Sequence, residues 1–349
     1  MKIAFVEAEP GEQKFFQRAF PGHTVMFESS LEDVERNCEV VSSFIFSRID
    51  AAFLESHPRV NLVATRSTTY DHISLEECKA RGVLVSYVPT YGDYTVAEHT
   101  MALILAMARR LREAFEMRLE KRFSYEAIRG WELRGKTLGI VGAGRIGMNV
   151  IRMARGFEME VVAYDVHPQS EAAARLGFQY VPFEKLLRTS HIISLHAPLT
   201  PASRHMLNRD TFGKCRRGVL IVNTARGGLI DTGALIQALD AGIVGGAALD
   251  VLEQECLLRA EAEEVISDQI LKHLLASSAT SSKATSRERI SELQSFMRNG
   301  SLLSRKHVIF TPHCGFNTVE AVDQINRTTV ANIRAYISGK PTNLAGEKC

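Results

Sequence analysis

The sequence predicts an α/β protein of two doubly wound parallel-sheet domains, one inserted into the other. Short apolar strand candidates alternate with helical patterns through the first hundred residues, and the rhythm returns between 137 and 311. Such alternation makes parallel sheets covered on both faces. A glycine-rich turn at 142–147 opens the second series and not the first. A long helical pattern closes the chain after the second series ends, and 349 residues suit two cores better than one.

The chain begins Met-Lys-Ile-Ala-Phe-Val-Glu, a strand rather than a secretion signal, because no long apolar run follows it. Strands are expected at 2–7, 24–27, 40–46, 62–65 and 83–88, with helices near 11–19, 31–36, 50–56 and 74–81 between them. Pro89 stops the last strand, since it has no N–H to give a ladder. One long helix, about 96–116, follows. Its Met101, Leu103, Ile104, Leu105 and Met107 lie on nearly every face, which predicts burial between two bodies. A six-strand series comes next, at 137–141, 160–164, 192–195, 219–223, 246–250 and 308–311. Val319, Val322, Ile325, Thr329, Ile333 and Ile337 then form the stripe of an amphipathic helix that Gly339 ends. The expected division is an outer domain, 1–98 plus 318–349, and an inner one, 99–317.

A net charge of +2, from 42 basic and 40 acidic residues, argues against nucleic acid or a membrane surface as partner. Cys38, Cys78, Cys215, Cys256, Cys314 and Cys349 form no C-x-x-C pair, so they read as reduced thiols in a reducing, cytoplasmic setting. The most apolar helical stretch, 101–108, is too short to span a bilayer. No bound metal is expected.

The strand at 137–141 runs into Gly142-Ala143-Gly144-Arg145-Ile146-Gly147 and then a helix. The first glycine permits a tight turn, the second lets backbone approach a pyrophosphate, and the third allows close helix–strand contact. Free N–H groups at the helix start face the phosphates. Gly142, Gly144, Arg145, Ile146 and Gly147 are therefore read as cofactor-binding. The next strand ends in Tyr164-Asp165, eighteen residues after Gly147. A carboxylate there accepts from a ribose 2′-hydroxyl and repels a 2′-phosphate, which predicts NAD over NADP. His167 is the only nearby group that could soften this preference.

Three further phrases follow in order: Asn-Thr-Ala-Arg-Gly-Gly at 223–228, Ala-Leu-Asp-Val-Leu-Glu-Gln-Glu at 248–255 and Thr-Pro-His at 311–313. Each places an ionisable side chain, Arg226, Glu255 or His313, at or shortly after a strand end, where open α/β sheets put their ligands. In order and wording the chain resembles the D-isomer-specific 2-hydroxyacid dehydrogenases, and its lactate-type subgroup in particular. The resemblance implies a Rossmann NAD-binding domain inserted into a flavodoxin-like substrate domain, and reduction of a small 2-keto acid to the D-2-hydroxy acid. On that reading Arg226 grips the carboxylate through two parallel N–H bonds and polarises the ketone, with Ala225, Gly227 and Gly228 leaving room for a ligand. His313 donates the proton as hydride arrives. Glu255, the second acid of its run, keeps the imidazolium charged, whereas Glu253 reads as a solvated acid. The resemblance also sets Thr224, Ala225 and Asp250 on the cofactor side, Asp250 at the nicotinamide carboxamide. It puts Ala197, Pro198 and Ser203, in the loop after His196, near the adenosine half. His196 itself is equally a structural histidine.

In the first domain Arg66-Ser-Thr-Thr-Tyr-Asp-His-Ile resembles the loop whose backbone N–H groups hold the substrate carboxylate, which marks Thr68 and Thr69. Thr69 stands where the family usually has glycine, and a β-branched residue resists positive φ. Tyr91 would reach the substrate and Phe316 would add an apolar wall, which suits pyruvate. Glyoxylate, hydroxypyruvate or a branched 2-keto acid remain open, as does the NADH-sensing corepressor role that some relatives fill with the same triad. A homodimer is implied too, with the 96–116 helix as its contact. The family's loop between glutamate and histidine is shorter than here: residues 257–306 fit a helical insertion, either a surface elaboration, an interface arm or a cover for the site.

Overall fold

Among the described residues every strand-to-strand pairing of the two sheets is parallel, as strands separated by helical crossovers require. A computed structural model describes residues 1–121, 123–253 and 297–346. It divides the chain into Met1–Tyr91 with Phe316–Cys349, and Gly92–Gly315.

The smaller unit is a five-stranded sheet in the order β2-β1-β3-β4-β5, formed by β1 (Lys2–Val6), β2 (Thr24–Glu28), β3 (Val40–Ser42), β4 (Leu62–Ala64) and β5 (Leu84–Ser86). The two-residue period of a strand sends Ile3 and Phe5 into one core and Ala4 and Val6 into another. Helix α1 (Pro10–Ala19) and the C-terminal helix Val319–Ile337 cover the first core, to which Phe16, Val330 and Ile333 contribute, while α2 (Ala51–Ser56) and α3 (Leu75–Ala80) connect β3 to β4 and β4 to β5. Ile325, Thr329 and Ile333 of the expected stripe are buried, but Val319 is exposed in the first turn. The strand expected over 40–46 stops at Ser42, and the helix expected at 31–36 is a single 3-10 turn, Leu31–Asp33.

Among its described residues the larger unit has a sheet of seven strands, one more than the six expected, in the order β12-β11-β10-β9-β6-β7-β8. They are β6 (Thr137–Val141), β7 (Glu160–Tyr164), β8 (Gln179–Tyr180), β9 (Ile192–Leu195), β10 (Val219–Asn223), β11 (Val244–Leu249) and β12 (Val308–Phe310). The extra strand, β8, is two residues long, too short to carry a hydrophobic period. Leu220 and Val222 face one core while Val219 and Ile221 face the other. At the end of the excursion between β11 and β12, residues 297–303 are helical and Leu302 is fully buried in the second core. The rest of the expected insertion, 257–296, lies outside the described residues.

The helix expected over 96–116 is two helices, α4 (Thr95–Ala108) and α5 (Leu111–Leu119). Arg110 breaks them apart in the left-handed region, at φ 52 and ψ 43. The carbonyl of Ala108, left free where α4 ends, accepts from Trp131 N at 3.0 Å. Helix α4 is buried by its own unit, against β10, β11 and α6 (Arg145–Gly156), which explains its apolar residues on most faces. The division at Tyr91 keeps α4 whole within the larger unit.

Candidate functional site

In the larger unit the sequence-marked residues gather at the carboxyl ends of strands. Gly142 follows β6, Asp165 follows β7, His196 follows β9, Thr224 follows β10, Asp250 follows β11, and His313 lies just beyond β12. The sheet changes winding direction between β6 and β9, the crevice in which doubly wound sheets bind nucleotides.

Each fingerprint glycine has a distinct physical reason. Gly142 has φ 92, and a Cβ on it would stand 2.6 Å from Ala197 N, so the turn after β6 and the loop after β9 fit only without a side chain. A Cβ on Gly147 would come within 2.2 Å of Gly142 O, which is the close helix–strand approach expected there. Gly144, at the N-cap of α6, has open space where its Cβ would be. An unobstructed backbone at a helix N-terminus fits a pyrophosphate. Arg145, beside it, is exposed and pairs with Asp93 through Nε at 3.2 Å, while Ile146 packs partly against the core. Asp165 accepts from Ala143 N at 2.7 Å and His167 N at 2.8 Å, which fixes its carboxylate beside the loop. These residues fit NAD.

In the loop after β9, Ser203 Oγ donates to Pro198 O at 2.7 Å and accepts from Thr200 N at 2.8 Å, so this hydroxyl braces the loop. Ala197 packs against the second core. Burial pushes the His196 imidazole down to about 3, and its Nε2 lies 2.9 Å from Ser194 Oγ. His196 is thus neutral near pH 7.

Arg226 leaves β10 in extended conformation, with its carbonyl held by Asn223 Nδ2 at 2.9 Å and its Nη1 donating to Ala225 O at 2.6 Å. Asn223 also accepts from Ala225 N at 3.0 Å. The space expected at Gly227 is taken by the protein itself, since a Cβ there would stand 2.0 Å from the carbonyl carbon of Leu252. Gly228 likewise faces the Leu199 side chain, at 3.0 Å. The glycines let the chain beyond β11 cross the Arg226 loop. Glu253, expected to be solvated, is only 20% exposed and accepts from Arg204 at 2.7 Å, with His205 Nε2 at 2.9 Å. Glu255 lies outside the described residues.

Asp250 is 2% exposed. Its Oδ1 accepts from Thr311 Oγ1 at 2.6 Å and Cys314 N at 3.0 Å, and its Oδ2 from Gly315 N at 2.9 Å. His99 Nε2 is 3.3 Å from Oδ1. Burial works to raise this carboxyl's pKa, but hydrogen bonds from His99, Thr311 and Gly315 outweigh it and hold the group below the usual aspartate range. The Asp250 carbonyl accepts from His313 N at 2.9 Å, so three successive amides, 313 to 315, bond to one residue. That turn holds His313 at φ 51, uncommon for a residue with a Cβ. Thr224 Oγ1 meets Thr100 Oγ1 of α4 at 2.8 Å. His99 and Thr311 were not marked by the sequence. Thr311 was within the Thr-Pro-His phrase, but nothing local tied a helical histidine to a strand more than two hundred residues away.

In the smaller unit the Phe316 ring lies 6.4 Å from Tyr91, edge to face, and 5.1 Å from Phe44. Phe44, within the strand expected over 40–46 but beyond the end of β3, joins this aromatic wall. The carbonyl of Thr69 accepts from Ser67 Oγ. Thr69 is not among the positive-φ residues, so its branched side chain meets no backbone conflict. Thr68 sits half-buried beside it.

The Asp250 geometry makes a prediction about acid stability. The folded-state pKa is depressed, so the stabilisation is fully present above the unfolded-state carboxyl value of about 4 and is lost as pH falls through the lower folded value. Asp250→Asn should lower stability at pH 7 by about 1–3 kcal/mol and flatten the decline between pH 5 and pH 2. Urea unfolding followed by the fluorescence of Trp131, the sole tryptophan, measures both.

Comparison with known proteins gives a consistent relationship. The family model for the NAD-binding domain of D-isomer-specific 2-hydroxyacid dehydrogenases matches residues 101–315. A 2-hydroxyacid dehydrogenase homolog of Haemophilus influenzae is 32% identical over 351 residues, covering 97% of each chain. A D-lactate dehydrogenase of Escherichia coli is 31% identical, covering 97% of this chain and 98% of its own. The crystal structure of an Aquifex aeolicus D-lactate dehydrogenase complexed with NAD and lactic acid superposes with a TM-score of 0.81 at 31% identity, over 97% of this chain and 96% of that one. With its glycine loop, its two parallel sheets and this likeness along nearly its whole length, the chain belongs to the D-isomer-specific 2-hydroxyacid dehydrogenases, NAD-dependent oxidoreductases acting on 2-hydroxy acids.

Proposed function

We propose that the chain reduces pyruvate to D-lactate, with Arg226 as the carboxylate clamp and His313 as the proton donor. The observation that carries this reading is the placement of Arg226 and His313 on the carboxyl-end loops of β10 and β12, with Asp250 just beyond β11 between them. The two outer strands lie roughly 10 Å apart, within reach of a guanidinium and an imidazole that share one small ligand. When bound, NADH supplies the hydride. Arg226 holds the keto acid's carboxylate and draws electron density from its ketone. His313 gives its proton to the developing alkoxide. Glu255 keeps that imidazole charged, an assignment that rests on its place in the 248–255 phrase. For the smaller unit, taken by itself, the family resemblance assigns substrate contacts to the backbone at Thr68 and Thr69 and to Tyr91 and Phe316, whose rings lie edge to face. The free thiols Cys38, Cys78, Cys215 and Cys314 fit a reducing, cytoplasmic setting, and no helix among the described residues is long and apolar enough to cross a membrane.

The chain is further proposed to form a homodimer. The contact moves from α4, which its own unit buries, to α5 and the segment after it. There Leu111, Phe115 and Leu119 lie one turn apart, 41%, 64% and 76% exposed, and Phe123 and Tyr125, further along the chain, are exposed as well.

NADH oxidation with pyruvate, glyoxylate, hydroxypyruvate and 2-ketoisocaproate should give the highest kcat/KM for pyruvate. His313→Gln should cost about 100-fold or more in kcat, and Arg226→Ala at least as much in kcat/KM, while both variants still bind NADH. Wild-type turnover in either variant would overturn its role. Negligible turnover of all four acids, with peptide binding that changes with NADH, would favour the corepressor reading. In sedimentation velocity the wild type should run as a dimer and Phe115→Glu as a monomer.

A further inference from the structure

Helix α4 presents one polar side chain to the turn that carries His313. His99 Nε2 lies 3.0 Å from Thr311 Oγ1 and 3.3 Å from Asp250 Oδ1. Thr311 has a single hydroxyl proton, and its 2.6 Å hydrogen bond directs that proton toward Asp250, an acceptor only. The hydroxyl therefore meets His99 with a lone pair, and Nε2 of His99 must carry the hydrogen. The tautomer follows from the partners: Nε2–H is a donor shared between Thr311 and Asp250.

The same ring packs against the turn. A Cβ on Gly315 would stand 2.8 Å from Asp250 Oδ2 and 3.2 Å from His99 Cδ2, so the turn closes over both side chains only because residue 315 has none. His99, Asp250 and Cys314 have ligand atoms within 4.8 Å of one another, as a metal site would. The carboxylate, however, already receives two backbone amides and a hydroxyl in addition to the His99 N–H. Those donors define a hydrogen-bonded clamp.

We propose that His99 is a positioning residue for keto-acid reduction: its Nε2–H, bridging Thr311 and Asp250, locks the 311–315 turn and so aims His313. The proposal rests on the reading of His313 as proton donor. The physical need is clear from the backbone. His313 sits at φ 51, a conformation its own side chain does not favour, and it persists only while its neighbours over-determine it. Asp250 supplies the acceptors that hold the turn. His99 supplies a donor from a different element, α4, that stops Thr311 and the carboxylate from rotating away. A proton donor must stand within hydrogen-bond reach of the atom it protonates, and a displacement of about 1 Å can cost about 100-fold in rate. His99 thus acts on the chemical step through the turn.

The test compares His99→Ala and His99→Gln with the wild type. Gln can place an amide N–H near the position of Nε2, whereas Ala cannot. His99→Ala should lower kcat for pyruvate by about 10- to 100-fold, with KM for pyruvate and Kd for NADH changed less than about threefold. His99→Gln should recover most of that loss. Without cofactor or substrate, amide hydrogen exchange at Cys314 and Gly315 should be at least about tenfold faster in the Ala variant and near wild type in the Gln variant. Wild-type kcat in His99→Ala, equal losses in Ala and Gln, or a change confined to NADH affinity would each overturn the proposal. If the wild type reduced none of the keto acids, the functional reading would fall on its own. Exchange unchanged in the Ala variant would then still overturn the clamp.

Discussion

A carboxylate buried at the end of β11 must be compensated or it would not stay ionised, because removing an ion from water costs several kcal/mol. Asp250 is compensated by a hydroxyl and two backbone amides, all from the turn after β12, and by His99 of α4. Hydrogen bonds to a charged group are each worth about 1.5–3 kcal/mol, so the turn and the carboxylate stabilise one another. The parallel register Leu249↔Phe310 sets the two strand ends side by side, and without it the amides of 313–315 would not reach residue 250. The placement of His313 is a consequence of this arrangement more than of its own side chain.

Close backbone approaches supply the second constraint. The turn after β6 lies against the loop after β9, and the chain beyond β11 lies against the loop after β10. Each contact is too tight for a Cβ. Loops that touch backbone to backbone have few alternative arrangements, so the strand ends form a rigid rim. A rigid rim suits hydride and proton transfer, in which the reacting atoms must be held in place and not found by diffusion.

The sequence was most legible where a strand is buried on both faces. The runs expected at 137–141, 192–195 and 219–223 have the same bounds as the observed strands, whose residues are almost all buried, and the glycine loop and the Arg226, Asp250 and His313 phrases stand at or just beyond strand ends of this sheet. Legibility failed where a tertiary contact overrides the local pattern. The pattern across 96–116 continues past Arg110, but the backbone turns left-handed there. Glu253 looked solvated because Arg204 and His205 are distant in sequence. His99 could not be seen as a partner of Asp250, since a histidine in a helix carries no sign of what it faces. The glycines beside Arg226 looked like room for a ligand, yet they accommodate the protein's own chain and a leucine side chain.

The proposed function requires hydride to pass from NADH to the keto carbon of a small acid on one face only. Pyruvate reduced with NADH carrying deuterium at the transferred C4 position, with the product isolated for chiral separation and NMR, tests this most directly. The expected product is D-lactate with one deuterium at C2. L-lactate, a racemate, or lactate without deuterium at C2 would contradict it.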